Sequence, residues 1–167
     1  GSLRSSIDAG LALVPEDRRH SGLMTALSVS ENLNIVSSHR RAKLGWLART
    51  ADRRAAQSQV DSLGIRTPGL NQVSAFLSGG NQQKLIVGRE MLANPKVLIA
   101  AHPTRGIDVG AQATVWQNIK DARANGLGVL LVSADLDELI GLSDRLLVIL
   151  RGRIVASLDP ATTTPVE

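Results

Sequence analysis

The segment Leu77-Ser78-Gly79-Gly80-Asn81-Gln82-Gln83 holds the residues of this chain best suited to chemistry. Two glycines carry no side chain, so backbone N–H groups there can approach an anion closely. The helical composition from Asn81 to Ala93 places them at a helix N-terminus, where unpaired N–H groups and the helix dipole favour negative charge. The Ser78 hydroxyl adds a donor. A phosphate-binding turn and a plain capped helix start both satisfy these residues, and the segment alone does not choose between them.

The elements that must position this turn read as alternating helix and strand. Leu11 to Val14 is a short apolar run stopped by Pro15, which predicts a strand and a turn, and Glu16 to His20 reads as an exposed polar loop. Ser28, with Glu31 three residues on, predicts a helix start running to Ile35. Residues 36–50 show no clear period. Asp52 to Leu63 has helical composition and ends at Gly64, Thr67-Pro68-Gly69 is a turn, and Asn71 to Leu77 is a loop. The helix from Asn81 carries Leu85, Gly88 and Leu92 on one stripe and stops at Asn94-Pro95. Val97 to Ala101 and Val129 to Val132 are uninterrupted apolar runs of strand length, as in a parallel sheet covered on both faces. Between them, Pro103 to Asp108 is a loop and Gly110 to Asn125 a helix with Val115, Ile119 and Ala122 on one side, closed by Gly126. Leu136 to Leu142 is a short helix, residues 145–156 form a hairpin around Arg151-Gly152, and the tail from Asp159 is loose. The sum is an α/β architecture with a mostly parallel sheet, an inserted helical subdomain and a C-terminal β hairpin.

Composition bounds the partners. The chain has 167 residues, 43% hydrophobic and 20% charged, enough for one domain with a core. It has no cysteine, hence no disulfide framework or thiolate metal site. No run of eighteen uncharged apolar residues occurs, and the start has no apolar h-region of a signal peptide. The net charge of +4 is modest, and its densest basic stretch is Arg40, Arg41, Lys43, Arg49, Arg53 and Arg54, read as a solvated face. Aromatics at 2% offer no stacking platform for single-stranded nucleic acid. His20 and His39 read as surface residues, Trp46 and Trp116 as packing anchors, and Lys84 and Arg89 as solvated helix charges; no histidine pair or carboxylate cluster suggests a metal.

Taken together, these segments resemble the ATP-binding cassette family. Leu77 to Lys84 resembles its signature motif in the Asn-Gln-Gln-Lys form of sugar-type importers. Pro95 to Asp108 resembles the Walker B strand and D-loop, Val14 to Arg18 the segment around the Q-loop of a second cassette, and Val132 to Leu136 the switch loop. The resemblance covers residues 11–156. It implies a partial P-loop NTPase fold over residues 1–158, a helical subdomain over about 24–93, and a loose tail over 159–167. It also implies that Leu77, Ser78, Gly79, Gly80, Asn81 and Gln82 bind ATP held by a partner cassette, with the D-loop residues Gly106, Ile107 and Asp108 at the interface between cassettes. Asp108 reads equally as the N-cap before Val109.

The departures from the family pattern lie at its catalytic positions. Where the family has Asp-Glu at the end of Walker B, this chain has Ala101 and His102; where it has the switch histidine, Ala134; where it has the Q-loop glutamine, Glu16. Alanine has no oxygen to offer magnesium, and a neutral imidazole lacks the charge of a carboxylate. The expectation is a degenerate site of its own, with no metal ligand. No G-x-x-x-x-G-K-[ST] occurs, and Gly1-Ser2 reads as the scar of a cleaved tag, so the natural protein is expected to extend upstream. The resemblance implies ATP and Mg2+ in the full-length assembly, and none bound to this piece. As partners it implies a first cassette, transmembrane permease subunits and, indirectly, an extracytoplasmic substrate-binding protein, at the cytoplasmic face of the membrane as a peripheral subunit, with no specific nucleic acid. Ile-Ala-Ala-His-Pro-Thr resembles the nucleoside and simple-sugar branch. The other function class is a non-transport cassette acting in protein interaction or nucleic-acid handling.

Overall fold

The computed structural model describes residues 2–38 and 49–162. His39, Trp46, the basic Arg40, Arg41 and Lys43, and the last five residues of the predicted loose tail lie outside the described residues. A first short helix, α1 (Leu3–Asp8), which composition does not announce, is capped reciprocally by Ser2 and Ser5. Strand β1 (Leu11–Val14) follows where the apolar run predicts it.

The polar segment after β1 is more ordered than its composition suggests. Arg18–Gly22 forms one π-helical turn, because Asp17 Oδ1 accepts from the backbone N–H groups of Arg19 at 2.9 Å and His20 at 3.0 Å. Helix α2 (Val29–Asn34) starts on the predicted capping box: Ser28 Oγ accepts from Glu31 N, and Glu31 Oε2 accepts from Ser28 N at 2.8 Å. Helix α3 (Arg49–Ser62) carries Arg49, Arg53 and Arg54 and packs on α2. A 3-10 turn, Ser74–Phe76, replaces the middle of the predicted loop.

The turn of interest opens α4 (Gly79–Leu92), two residues earlier than expected, so both glycines lie in its first turn. Then come β2 (Val97–Ala101), α5 (Val109–Ala124), β3 (Gly128–Val132), α6 (Leu136–Leu142), and the hairpin β4 (Leu146–Leu150) and β5 (Arg153–Leu158). Helix α5 closes on Gly126 at φ 93°, with Leu127 N donating to Ala122 O and Gly126 N to Arg123 O, the paired bonds of a Schellman end. The sheet is parallel in the order β1-β2-β3, with Leu13, Ile99 and Leu130 aligned across it.

One face of that sheet meets the core through Ala12, Val14, Leu98 and Ala100. The other exposes Leu11, Leu13, Val97, Leu130 and Val132 among the described residues. The apolar runs carry the pattern of strands buried on both faces, and in this chain α4 and α5 contribute to the core on the first face. Periodicity records what a strand tolerates, not which helices lie over it.

Helix α4 is the centre of the packing. It touches α2, α3, β1, α5 and the π-helical turn, and its buried residues run Gly80, Gln82, Gln83 and Leu85 through Glu90. Such burial on all sides needs close approach. A Cβ on Gly88 would lie 2.5 Å from Leu63 Cδ1 and 3.2 Å from Leu33 Cδ2, both of buried residues. The expectation that Arg89 is a solvated charge is also corrected. Its Nε donates to Glu90 Oε1 at 2.7 Å and its Nη1 to the Gly22 carbonyl at 2.6 Å, and both ionic side chains are buried. The π-helical turn places that carbonyl, which no local pattern around Arg89 reveals.

Gly88→Ala gains about 1 kcal/mol of helix propensity but overpacks the site, and the clash outweighs it, for a net loss of about 1–2 kcal/mol in denaturant unfolding. Arg89→Met leaves a buried carboxylate without its cation and is expected to cost about 3–5 kcal/mol in the same measurement.

Candidate functional site

Parallel strands direct their C-terminal ends toward a common edge, where α/β proteins place ligands. Glu16 follows β1, His102 follows β2 and Ala134 follows β3, so three predicted positions do share one edge of the sheet. His102 N donates to Val132 O at 2.7 Å, binding the ends of β2 and β3 together. His102 sits at φ 47°, a left-handed conformation uncommon outside glycine. Ala101 closes β2 and Ala134 lies exposed before α6. Their methyl groups offer no oxygen ligand, and Glu16 is engaged with the Arg105 guanidinium. This donor set does not fit a magnesium ion.

The second predicted constellation lies apart from the strand ends, where the N-termini of α4 and α5 touch. A Cβ on Gly80 would lie 2.8 Å from Ala111 Cβ and 3.3 Å from Asp108 Oδ2, so the helix starts meet only because residue 80 lacks a side chain. Ser78 does not cap its own helix; its Oγ accepts from Asn81 Nδ2 at 2.9 Å, and Asn81 Oδ1 accepts from Arg66 N at 2.9 Å. The N–H groups of α4's first turn have no carbonyl one turn earlier to accept them. Between the helix starts lies a polar cleft of about 240 Å³ bordered by Ser78, Gly80, Asn81, Lys84, Arg66 and Asp108.

The predicted set narrows here. Leu77 is buried in the core, and Gln82 is buried with its amide donating to the Ser74 carbonyl at 3.1 Å. Ser78 is exposed, Gly79 and Asn81 are half-buried, and Gly80 is buried against Ala111. The helical period turns the side chain at position 82 back onto the 3-10 turn.

Asp108 does cap α5, accepting from Ala111 N at 2.9 Å. That backbone bond holds its carboxyl below the ordinary aspartate value of 3.8, and Lys84 adds a small pull in the same direction. Burial lowers the Lys84 ammonium below its ordinary value, Arg66 adds to that, and Asp108 opposes it. Lys84 Nζ donates to the Gly64 carbonyl at 3.2 Å, so it is not fully solvated. Gly106, at φ 68°, and the half-buried Ile107 lead into Asp108.

Two features escape sequence reading. The carboxylate of Glu138 on α6 is buried and accepts from Thr104 Oγ1 at 2.6 Å and Trp116 Nε1 at 3.1 Å, fixing the loop after β2 to both helices. Trp116 is thus the expected anchor with a polar tether added. Arg18, from the segment read as a solvated loop, donates through Nη1 to the carbonyls of Arg105 at 3.1 Å and Gly106 at 3.2 Å. The signal available for both was only residue type.

Comparison with known proteins gives the following. No family model matches the chain. It is 43% identical over 162 residues to the ribose import ATP-binding protein RbsA 2 of Streptomyces coelicolor, covering 97% of this chain and 31% of that protein. It is 46% identical over 160 residues to ribose import ATP-binding protein RbsA 1 of Streptomyces avermitilis, covering 95% and 31%. It is 45% identical over 159 residues to the arabinose import ATP-binding protein AraG of Pseudomonas savastanoi pv. phaseolicola, covering 95% and 31%. The chain therefore spans about a third of the length of these curated relatives. Among solved structures it matches the dimeric post-hydrolysis state of the ATP-binding cassette MJ0796 bound to ADP and Pi, at TM-score 0.78, 20% identity, 93% of this chain and 66% of that one. It also matches a nucleotide-free ATP-binding cassette from an ABC transporter, at TM-score 0.77, 19% identity, 95% and 64%. At that identity the likeness is one of fold.

A test of the site's electrostatics follows from the Asp108 cap. Its carboxyl is depressed in the folded state, so its contribution is present above the ordinary aspartate value and is lost as pH falls through the depressed one. Asparagine also caps but does not titrate. Asp108→Asn is therefore expected to lose less thermal stability than the unchanged chain when pH is lowered from about 6 to about 3, read by melting at each pH.

Proposed function

The chain belongs to the ATP-binding cassette family, and from that premise we propose that it is the second cassette of a sugar-importer ATPase, completing the nucleotide site of a partner cassette while its own is degenerate. The carrying observation is the contrast between two places. At the strand ends, Ala101 and Ala134 present methyl groups and Glu16 pairs with Arg105. At the helix starts, Ser78, Gly79 and Gly80 leave a hydroxyl and free N–H groups beside a cleft that Arg66 and Lys84 make electropositive. The turn suits the terminal phosphates of ATP, which a first cassette would hold together with magnesium.

The surface around the turn supports presentation to another protein. Phe76 is 78% exposed just before the turn, and Val109 is 82% exposed at the start of α5. Two large apolar side chains flanking a polar phosphate turn suit an interface that closes when nucleotide bridges it. Helices α2, α3 and α4, within residues 24–93, form the helical subdomain that meets permease subunits, with Met24 and Ile35 exposed on it. The assembly would sit at the cytoplasmic face of the membrane and serve a substrate-binding protein outside it. No helix among the described residues is long and apolar enough to cross a membrane. The sugar class rests on the ribose and arabinose import relatives.

Ser78 is exposed, so its replacement tests the turn without disturbing the core. In the full-length ATPase assembled with its permease, Ser78→Arg is expected to reduce ATP turnover about 100-fold, as loss of a preorganised phosphate donor does, with an unchanged melting temperature. Unchanged turnover rejects the reading.

A further inference from the structure

Three segments far apart in the chain meet at the Arg18 guanidinium. Its Nη1 reaches the Arg105 and Gly106 carbonyls in the loop that ends at Asp108. Its Nη2 lies against the first residue of α4, 2.8 Å from where a Cβ on Gly79 would sit. That same Cβ position is 3.6 Å from the Gly106 carbonyl oxygen, so loop and turn also touch each other. Across the contact both neighbours are glycines, and a Cβ on Gly106 would lie 3.4 Å from Nη1. One terminal nitrogen with two N–H groups serves both adjacent carbonyls, and the guanidinium charge strengthens both bonds.

A second contact runs the opposite way. The Arg105 side chain pairs with Glu16, so the segment after β1 and the loop after β2 exchange arginines. The halves are unequal. Arg105 and Glu16 are 67% and 48% exposed, and such a pair contributes little in water. Arg18 is half-buried, and its bonds end on backbone. Residues 103–108 are neither helix nor strand, so contacts of this kind set their shape.

We propose that Arg18 is a positioning residue that holds the Ser78–Gly80 turn and the loop carrying Asp108 at a fixed spacing, and ties both to the Glu16 segment. It rests on the reading that turn and loop face a partner's nucleotide. The three segments then shift as one body, and a displacement of the turn beside β1 reaches the phosphate contacts through one side chain.

Hydrogen exchange on this chain tests the tie, and turnover in the assembled ATPase tests its use. In Arg18→Gln, amide exchange at Arg105 and Gln82, whose N–H groups donate to His102 O and Ser78 O, is expected to rise about tenfold, with α3 and the hairpin unchanged. In the assembled ATPase the same variant is expected to lose about tenfold in kcat with KM for ATP within about twofold, the mark of lost positioning rather than lost binding. Arg18→Lys keeps one point donor and is expected to fall between, and it carries both measurements if the Gln variant does not fold. Exchange that stays unchanged, or rises evenly along the chain, overturns the tie. Local exchange that rises while kcat holds overturns the positioning role even where Ser78→Arg abolishes turnover. If Ser78→Arg leaves turnover unchanged, the partner-site reading and the positioning role that rests on it both fall, and the exchange result alone decides whether Arg18 ties the two loops.

Discussion

Helix α4 has no free long side, and the rest of the chain is arranged around that constraint. Leu85, Ile86 and Val87 are almost wholly buried on three successive positions, which on a helix means burial in three directions. Only small residues at the contacts permit it: Gly88 against Leu63 and Leu33, and Gly80 against Ala111. The charged end of the helix is buried too, and Arg89 and Glu90 satisfy one another with help from the Gly22 carbonyl. A functional turn at the start of such a helix inherits its rigidity. Donors on a fixed element keep their direction, which is what recognition of a phosphate group requires.

The same constraint separates two places that the sequence runs together. The strand ends lie at the sheet edge, with His102 locked to Val132 by a backbone bond and Glu16 drawn to Arg105. The helix starts of α4 and α5 border their own cleft, with Arg66, Lys84 and Asp108 lining it. Between them runs the loop of residues 103–108, held at one end by Glu138 through Thr104 and at the other by Arg18.

Much of the local structure was legible. Ser28 with Glu31 marked the start of α2, and Asp108 marked that of α5. Asn94-Pro95 marked the end of α4, where Asn94 takes a left-handed conformation that asparagine tolerates better than most residues. Arg151-Gly152 marked the hairpin, though Arg151 itself sits at φ 50°. The candidate site was legible as a segment but not as a set of side chains. Position 82 looked like its neighbours 78 to 81, and only the direction of the helix turned it inward. Position 89 looked like any surface arginine, and nothing local marked its burial.

The sequence by itself determined where most of the strands and longer helices lie, to within two or three residues at their ends, because capping groups, glycines and apolar periods act over three or four residues. It also determined that Ala101 and Ala134 bring no oxygen to the strand ends, since that depends on side-chain chemistry alone. Only the tertiary structure decided which polar groups are buried and what they hold. Arg89 finds its carbonyl 67 residues away, Arg18 finds its two at 87 and 88, and Glu138 finds Thr104 at 34. Such contacts exist only once packing has brought the segments together, and no local pattern of residue types encodes the distance.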